Sequence, residues 1–309
     1  MSGSSFPAQP AEPAASGRPK LVLGADTLCW HLRLETRDIS LEQVLEEAAS
    51  AGAKYLQLTL HHARERTADD LSRLARWADE LGLRILASGD FLGGARFGDE
   101  PRVAAERVRA WLERADALGS PLLRVTSGFY RADLATTPGA IEAERRWVIE
   151  ALRTSLPAVR EAGVTLALEN HSDFTAAEYR SIVEAVADER VRVFLDVINP
   201  VAALEDPVPV VAALAPFAVA GHVKDFELES IQTDGGYHRR GFSVLYRYPG
   251  EGIADLPRIW SALAAGLDGR ELPIAVEGLD NRADVRDQAE RLQRSFEHLR
   301  GLVPAPLEA

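Results

Sequence analysis

GVTLALENHSDF, residues Gly163 to Phe174, opens on a glycine, runs through a short apolar stretch and turns abruptly polar at Glu169, Asn170 and His171. The glycine follows a long amphipathic segment, and a Gly just past a helix tolerates the left-handed conformation that ends it. The run after it is too short for a helix and reads as a buried strand. The same unit recurs where Gly52 precedes AKYLQLTL, Gly82 precedes LRILASG and Gly119 precedes SPLLRVTS. Ser40 with Gln43 and Thr67 with Asp70 fit capping-box helix starts, and Val285, Ala289, Leu292, Phe296 and Leu299 recur at helical spacing near the end of the chain.

Reading every unit this way gives eight strands: LVLGAD, KYLQLTL, LRILAS, PLLRVT, VTLALE, VRVFLD, FAVAGHV and PIAVE. Eight apolar runs alternating with helices over about 285 residues match an α/β fold, a single (β/α)8 TIM barrel. A doubly wound open sheet competes, but GADTLCWH after the first strand lacks the Gly-rich phosphate fingerprint. No linker composition divides the barrel, so residues 19–303 form one expected domain. Residues 1–18, rich in Pro, Ala, Ser and Gly and without a secretory apolar core, are expected to be a disordered N-terminal tail.

The chain has 309 residues, 46% of them hydrophobic, and a formal net charge of −12. An acidic surface repels nucleic acid and anionic membranes, and no run reaches the roughly 20 apolar residues of a membrane span, so neither partner is expected. The single cysteine, Cys29, excludes an internal disulfide and points to a reducing, cytoplasmic setting. Without a base partner visible in the sequence, Cys29 reads as a small buried residue.

In a parallel barrel the C-terminal strand ends converge on one face, where sites are built. Four successive strands end in metal-ligand types: Glu169, Asp196, His222 and Glu277. Each acidic residue alone reads more readily as a helix cap or a lysine partner; the set does not. Three carboxylates cannot all stay ionised together without a cation. Mostly oxygen donors with one nitrogen favour Mn²⁺, with Mg²⁺ or Co²⁺ as alternatives.

LALENHSDFT (166–175), VFLDVINP (193–200), GHVKDFE (221–227), YPGEGIADLPRIWSAL (248–263), LPIAVEG (272–278) and the closing helix RSFEHLR (294–300) resemble the sugar phosphate isomerase/epimerase group of xylose isomerase-like barrels, in the AP endonuclease 2-like superfamily. The N-terminal half matches in pattern, with LGADTLCWH resembling the usual first strand and its mouth. The resemblance implies that Glu169, Asp196, His222 and Glu277 stand where the family's metal ligands stand. It also implies that Glu169 and Glu277 act as acid and base on a small carbohydrate. Proton removal alpha to a carbonyl gives an enediolate, which a divalent ion stabilises. His171 is expected either to meet a substrate hydroxyl, to serve as a base or to orient Glu169. Asn199 stands where ketose 3-epimerases often carry a histidine.

His31 and His61, with Trp30, His62, Asp90 and Phe91, supply mouth residues of the kind sugar sites combine, and Lys224 is expected to point into the site with Asp225 turned away. The segment Gln232–Gly252, with Arg239, Arg240 and Arg247, is long enough for a lid or a partner surface, Arg247 being a further substrate-contact candidate. An isomerase or epimerase acting on a keto-sugar or related polyol is the first expectation. A lyase on the same scaffold is the second, either a keto-inositol or dehydroshikimate-type dehydratase or the metal subunit of a C-glycoside deglycosidase acting on a 3-keto-glycoside. A non-catalytic sugar-binding relative is the third. A nuclease resembling endonuclease IV would use more histidines around a zinc cluster and a basic surface, and seven histidines in an acidic chain argue against it. A homo-oligomer or a small accessory subunit stays open.

Overall fold

Each glycine read as a helix stop closes a helix: Gly52, Gly82, Gly119 and Gly163 have φ of 90°, 72°, 64° and 68°. The Ser40 and Thr67 capping boxes both form. A computed structural model describes residues 19–231, 241–279 and 286–302. The expected tail 1–18, and Val285, Arg239 and Arg240, lie outside the described residues.

The order is β1 (Lys20–Asp26), α1 (His31–Glu35), α2 (Leu41–Ser50), β2 (Tyr55–Thr59), α3 (Ala68–Glu80), β3 (Arg84–Phe91), α4 (Pro101–Ala117), β4 (Leu122–Thr126), α5 (Arg131–Leu134), α6 (Ala140–Ala162), β5 (Thr165–Glu169), α7 (Ala176–Val186), β6 (Val191–Asp196), α8 (Pro207–Leu214), β7 (Ala218–Val223), β8 (Asp225–Ile231), β9 (Gly241–Arg247), α9 (Leu256–Leu267), β10 (Glu271–Val276) and α10 (Gln288–Gly301). Eight strands close a barrel in the order β1-β10-β7-β6-β5-β4-β3-β2, every pairing parallel. These are the eight strands read from the sequence. Among the described residues no helix is long and apolar enough to cross a membrane.

Two apolar layers hold the barrel. The larger one lies between strands and helices. The smaller one fills the interior with Tyr55, Leu86, Leu122, Ala167, Phe194, Ala220 and Ala275. Side chains alternate along a strand, so the residue two positions further on faces the same interior. Those residues are Gln57, Ser88, Arg124, Glu169, Asp196, His222 and Glu277, and β1 adds Asp26. The interior therefore changes from apolar to polar within one step of the pleat.

One expectation is corrected. Part of the segment read as a long mouth loop is a strand: Gly241–Arg247 pairs antiparallel with Asp225–Ile231, from Asp225 opposite Arg247 to Ile231 opposite Gly241. Phe226 and Leu228 on one strand and Phe242, Val244 and Tyr246 on the other recur at every second position, the period of a strand pair. At its base Asp225 is buried and accepts from the backbone N–H groups of Gly250 (3.1 Å) and Ala254 (2.9 Å), so it holds the Pro249–Gly252 turn. A Cβ on Gly252 would lie 2.3 Å from Asp225 Oδ1 and 2.4 Å from the Phe226 carbonyl oxygen. Gly252→Ala should therefore cost about 2 kcal/mol by overpacking, lowering Tm by about 3 °C for a chain of this size. A thermal melt indistinguishable from wild type would show that the turn relaxes freely.

Candidate functional site

Register places the polar ring. Asp196 of β6 lies beside His222 of β7, and the N–H of Glu277, just past β10, donates to the Val223 carbonyl. Asn170 closes the gap between β5 and β6: its Nδ2 donates to the Asp196 carbonyl and its Oδ1 accepts from the Asp196 N–H, both at 2.8 Å. The Tyr179 hydroxyl donates to the Glu169 carbonyl at 2.7 Å. Asn170 is thus a clamp between strand ends, which accounts for an amide at the end of an apolar run.

His222 is the hub. Its Nδ1 lies 3.1 Å from Glu169 Oε1 and 3.7 Å from both Asp196 Oδ2 and Glu277 Oε1. Its Nε2 lies 3.0 Å from Asp26 Oδ2 and 2.8 Å from Gln57 Nε2, and Gln57 Nε2 also donates to Asp26 Oδ2 at 2.7 Å. One ring nitrogen faces three carboxylates while the other is anchored to a fourth. Glu169, Asp196 and His222 offer ligand atoms all within 4.8 Å of one another. Glu169, Asp196 and His222 are fully buried and Glu277 is 4% exposed.

Two buried cations sit among them. Arg124 of β4 pairs with Glu169 and donates to Ser88 Oγ at 3.0 Å. Lys224 pairs with Glu277 and lies 2.7 Å from Asp196 Oδ2. Burial works against charge on Glu169, but Arg124 and His222 outweigh it and hold the carboxyl at about 2. Burial likewise opposes ionisation of Asp196 and Glu277, and Lys224 and His222 nonetheless keep both below the usual carboxylate range. Burial disfavours the charged forms of His222 and Lys224, yet the surrounding carboxylates push both well above their ordinary values.

The remaining candidates have different company. Asn199 is buried; its Nδ2 donates to Glu169 Oε1 at 3.3 Å and to the Asn170 carbonyl at 3.2 Å, and its Oδ1 accepts from the Tyr246 hydroxyl at 3.2 Å. His171 makes ring contacts with Phe91 and Tyr130, its Nδ1 is buried without a partner among the described residues, and Arg124 and Asn199 hold Glu169 in its stead. Lys224 points into the site as expected, under the ring of Tyr246 at 4.3 Å. Arg247 turns to Glu227 within the hairpin. His31 Nδ1 meets His62 Nε2 at 2.9 Å, and His61 Nε2 lies 3.3 Å from Glu35. Burial pushes His62 down to about 4. Trp30 is in the core, its Nε1 donating to Glu47, and Cys29 is buried, its thiol pushed up to about 12 by that burial.

Asp26, Gln57 and Arg124 are members that sequence reading passed over. Their signal was a polar residue inside or closing an apolar strand, in LVLGAD, YLQLT and LLRVT.

Residues 45–302 match the family described as the xylose isomerase-like TIM barrel. The chain belongs to that family. The chain is 26% identical over 210 residues to the 3-oxo-isoapionate decarboxylase of Pectobacterium atrosepticum, covering 67% of this chain and 69% of the relative. Similar folds include the D-psicose 3-epimerase of Clostridium cellulolyticum H10, solved with D-tagatose, at a TM-score of 0.70, 15% identity and coverage of 92% and 99% of the two chains. The IolI protein, solved with a bound zinc atom, aligns at a TM-score of 0.67 and 17% identity over 90% and 96%.

Because the carboxyl of Glu169 is lowered from 4.5 to about 2, its charge contributes stability that is complete above pH 4.5 and lost as pH falls through about 2. Removing its partner with Arg124→Leu leaves a buried charge uncompensated, at a cost of about 3–5 kcal/mol. In chelator, urea unfolding should show that deficit at pH 7, shrinking below pH 4.5 as Glu169 protonates in the variant. A deficit independent of pH would mean that the guanidinium matters for packing alone.

Proposed function

We propose that this chain is a divalent-metal-dependent sugar isomerase or epimerase that removes the proton alpha to the carbonyl of a keto-sugar or related polyol and returns it to an enediolate. The observation that carries this is charge. Asp26, Glu169, Asp196 and Glu277 bring four formal negative charges against the two positive charges of Arg124 and Lys224. His222, pushed toward its charged form among these carboxylates, gives up that proton when Nδ1 becomes a metal ligand, and the two negative charges then left match one divalent ion.

The residues fit such an ion. Glu169, Asp196, Glu277 and Nδ1 of His222 would hold it, with Asp26 fixing the ring through Nε2. The donor set favours Mn²⁺, then Mg²⁺ or Co²⁺. When bound, it supplies positive charge that stabilises a developing enediolate by several kcal/mol. Glu277, kept ionised by Lys224, is the base; Glu169 is its acid/base partner on the other side, and because Arg124 and His222 hold it ionised in the free site it must take up a proton from solvent before it can return one. Both groups are named from their placement beside His222 and from the family resemblance. Asn199 and Asn170 hold Glu169 and Asp196 in place, and the Tyr246 ring covers Lys224. A cytoplasmic setting fits the single buried cysteine.

A second reading, a lyase, is favoured by the decarboxylase relative and the two buried cations. Loss of carbon dioxide from a 3-oxo sugar acid leaves an enediolate without any proton abstraction, and the same site would protonate it.

Keto-sugars, 3-keto-glycosides and 3-oxo sugar acids incubated with the Mn²⁺-loaded protein in deuterium oxide separate these readings. Deuterium at the alpha carbon with an isomerised product supports the first, and release of carbon dioxide or water supports the second. No exchange and no product across the panel would leave a sugar-binding protein. Glu277→Gln, assayed at saturating Mn²⁺ with metal content measured, should keep the fold and lower turnover by about 10² to 10⁴, and near wild-type turnover at full metal occupancy would move the base to another residue such as His171.

A further inference from the structure

A second cluster of ligand-type side chains sits on the rim, outside the ring just described. His31 and Glu35 are four residues apart on α1, one helical turn, and so share a face. His62 comes from the turn after β2. One ligand atom from each of the three lies within 4.8 Å of the others. His31 Nδ1 and His62 Nε2 face each other at 2.9 Å. His62 Nδ1 is taken up by Thr27 Oγ1 at 2.9 Å, and Thr27 Oγ1 also accepts from the Thr59 N–H at 3.0 Å. That contact orients the ring and leaves Nε2 for the cluster.

Glu35 is held from outside, as ligating carboxylates are. Arg64 donates to its Oε1 at 2.9 Å and to its Oε2 at 3.2 Å, and His61 Nε2 lies 3.3 Å from Oε1. A carboxylate has lone pairs for both a guanidinium and an ion. All three residues are half-buried, reachable from solvent yet held on two separate segments.

We propose that His31, Glu35 and His62 bind a second divalent ion, of the borderline-soft zinc type, at the rim of the barrel mouth. Two imidazoles and one carboxylate are a zinc donor set with an open fourth position, which His61 or water fills. The oxygen-rich ring centred on His222 selects a harder ion, so the two sites differ in preference. The rim ion joins the segment after β1 to the segment after β2. Thr27, next to Asp26, is tied to it through His62. Its role is to brace the wall that carries Asp26, the anchor of His222.

The test is metal analysis of the full chain, stripped with chelator, reloaded with excess Zn²⁺ and passed through a desalting column, with Co²⁺ loading as a spectroscopic check. Wild type should retain two equivalents and the His31→Ala/His62→Ala variant one, while the intense visible band of four-coordinate Co²⁺ disappears from the variant. The single variant His31→Gln, on a half-buried helix position, repeats the measurement should the double variant fail to fold, and circular dichroism reports the fold of both. One equivalent in wild type and none in the variant still supports the rim site and counts against the His222 site. Equal zinc in wild type and a folded variant, whether one equivalent or two, overturns the rim site.

Discussion

Four buried carboxylates meet at one end of this barrel, and everything nearby answers to that. Like charges a few ångströms apart in a low-dielectric interior cannot all remain ionised unless cations stand among them. Arg124 and Lys224 supply part of the compensation from neighbouring strands, and His222 is poised between Asp26 on one side and Glu169, Asp196 and Glu277 on the other. Burial and pairing oppose each other at Glu169, Asp196 and Glu277, and pairing prevails at each. Such a site is costly to leave unbalanced, which gives a physical reason for a divalent ion independent of any relative.

The fold was legible because each structural unit is punctuated. A left-handed glycine ends the helix, a short apolar run follows, and the polarity changes where the strand leaves the barrel. Glu169, Asp196, His222 and Glu277 were readable for the same reason, since each stands at the end of its run. Gln57 and Arg124 were not, because a polar residue inside a strand ordinarily faces solvent. Only closure turns that face inward, over Tyr55 and Leu122. Asp26 ends its strand, but without partners in sequence it resembles a cap, and it does accept from the Leu28 N–H.

The hairpin was missed because the residues between its strands outnumber any tight turn, so length suggested a loop. Its alternation of Phe226 and Leu228, and of Phe242, Val244 and Tyr246, was the available signal. Its consequence is functional as well as architectural. Asp225 fixes the Pro249–Gly252 turn while Lys224, one residue earlier, faces the opposite way into the carboxylates, and Tyr246 returns to cover it. The run His222–Asp225 therefore alternates between site and scaffold, as a strand must.

Anomalous diffraction from crystals soaked in Mn²⁺ tests the central claim most directly. The account predicts one strong peak about 2.0–2.4 Å from Glu169, Asp196, His222 Nδ1 and Glu277, with Lys224 moved off at least one carboxylate. Density at saturating Mn²⁺ that shows Lys224 still bridging Asp196 and Glu277, with no peak at His222 Nδ1, would contradict it.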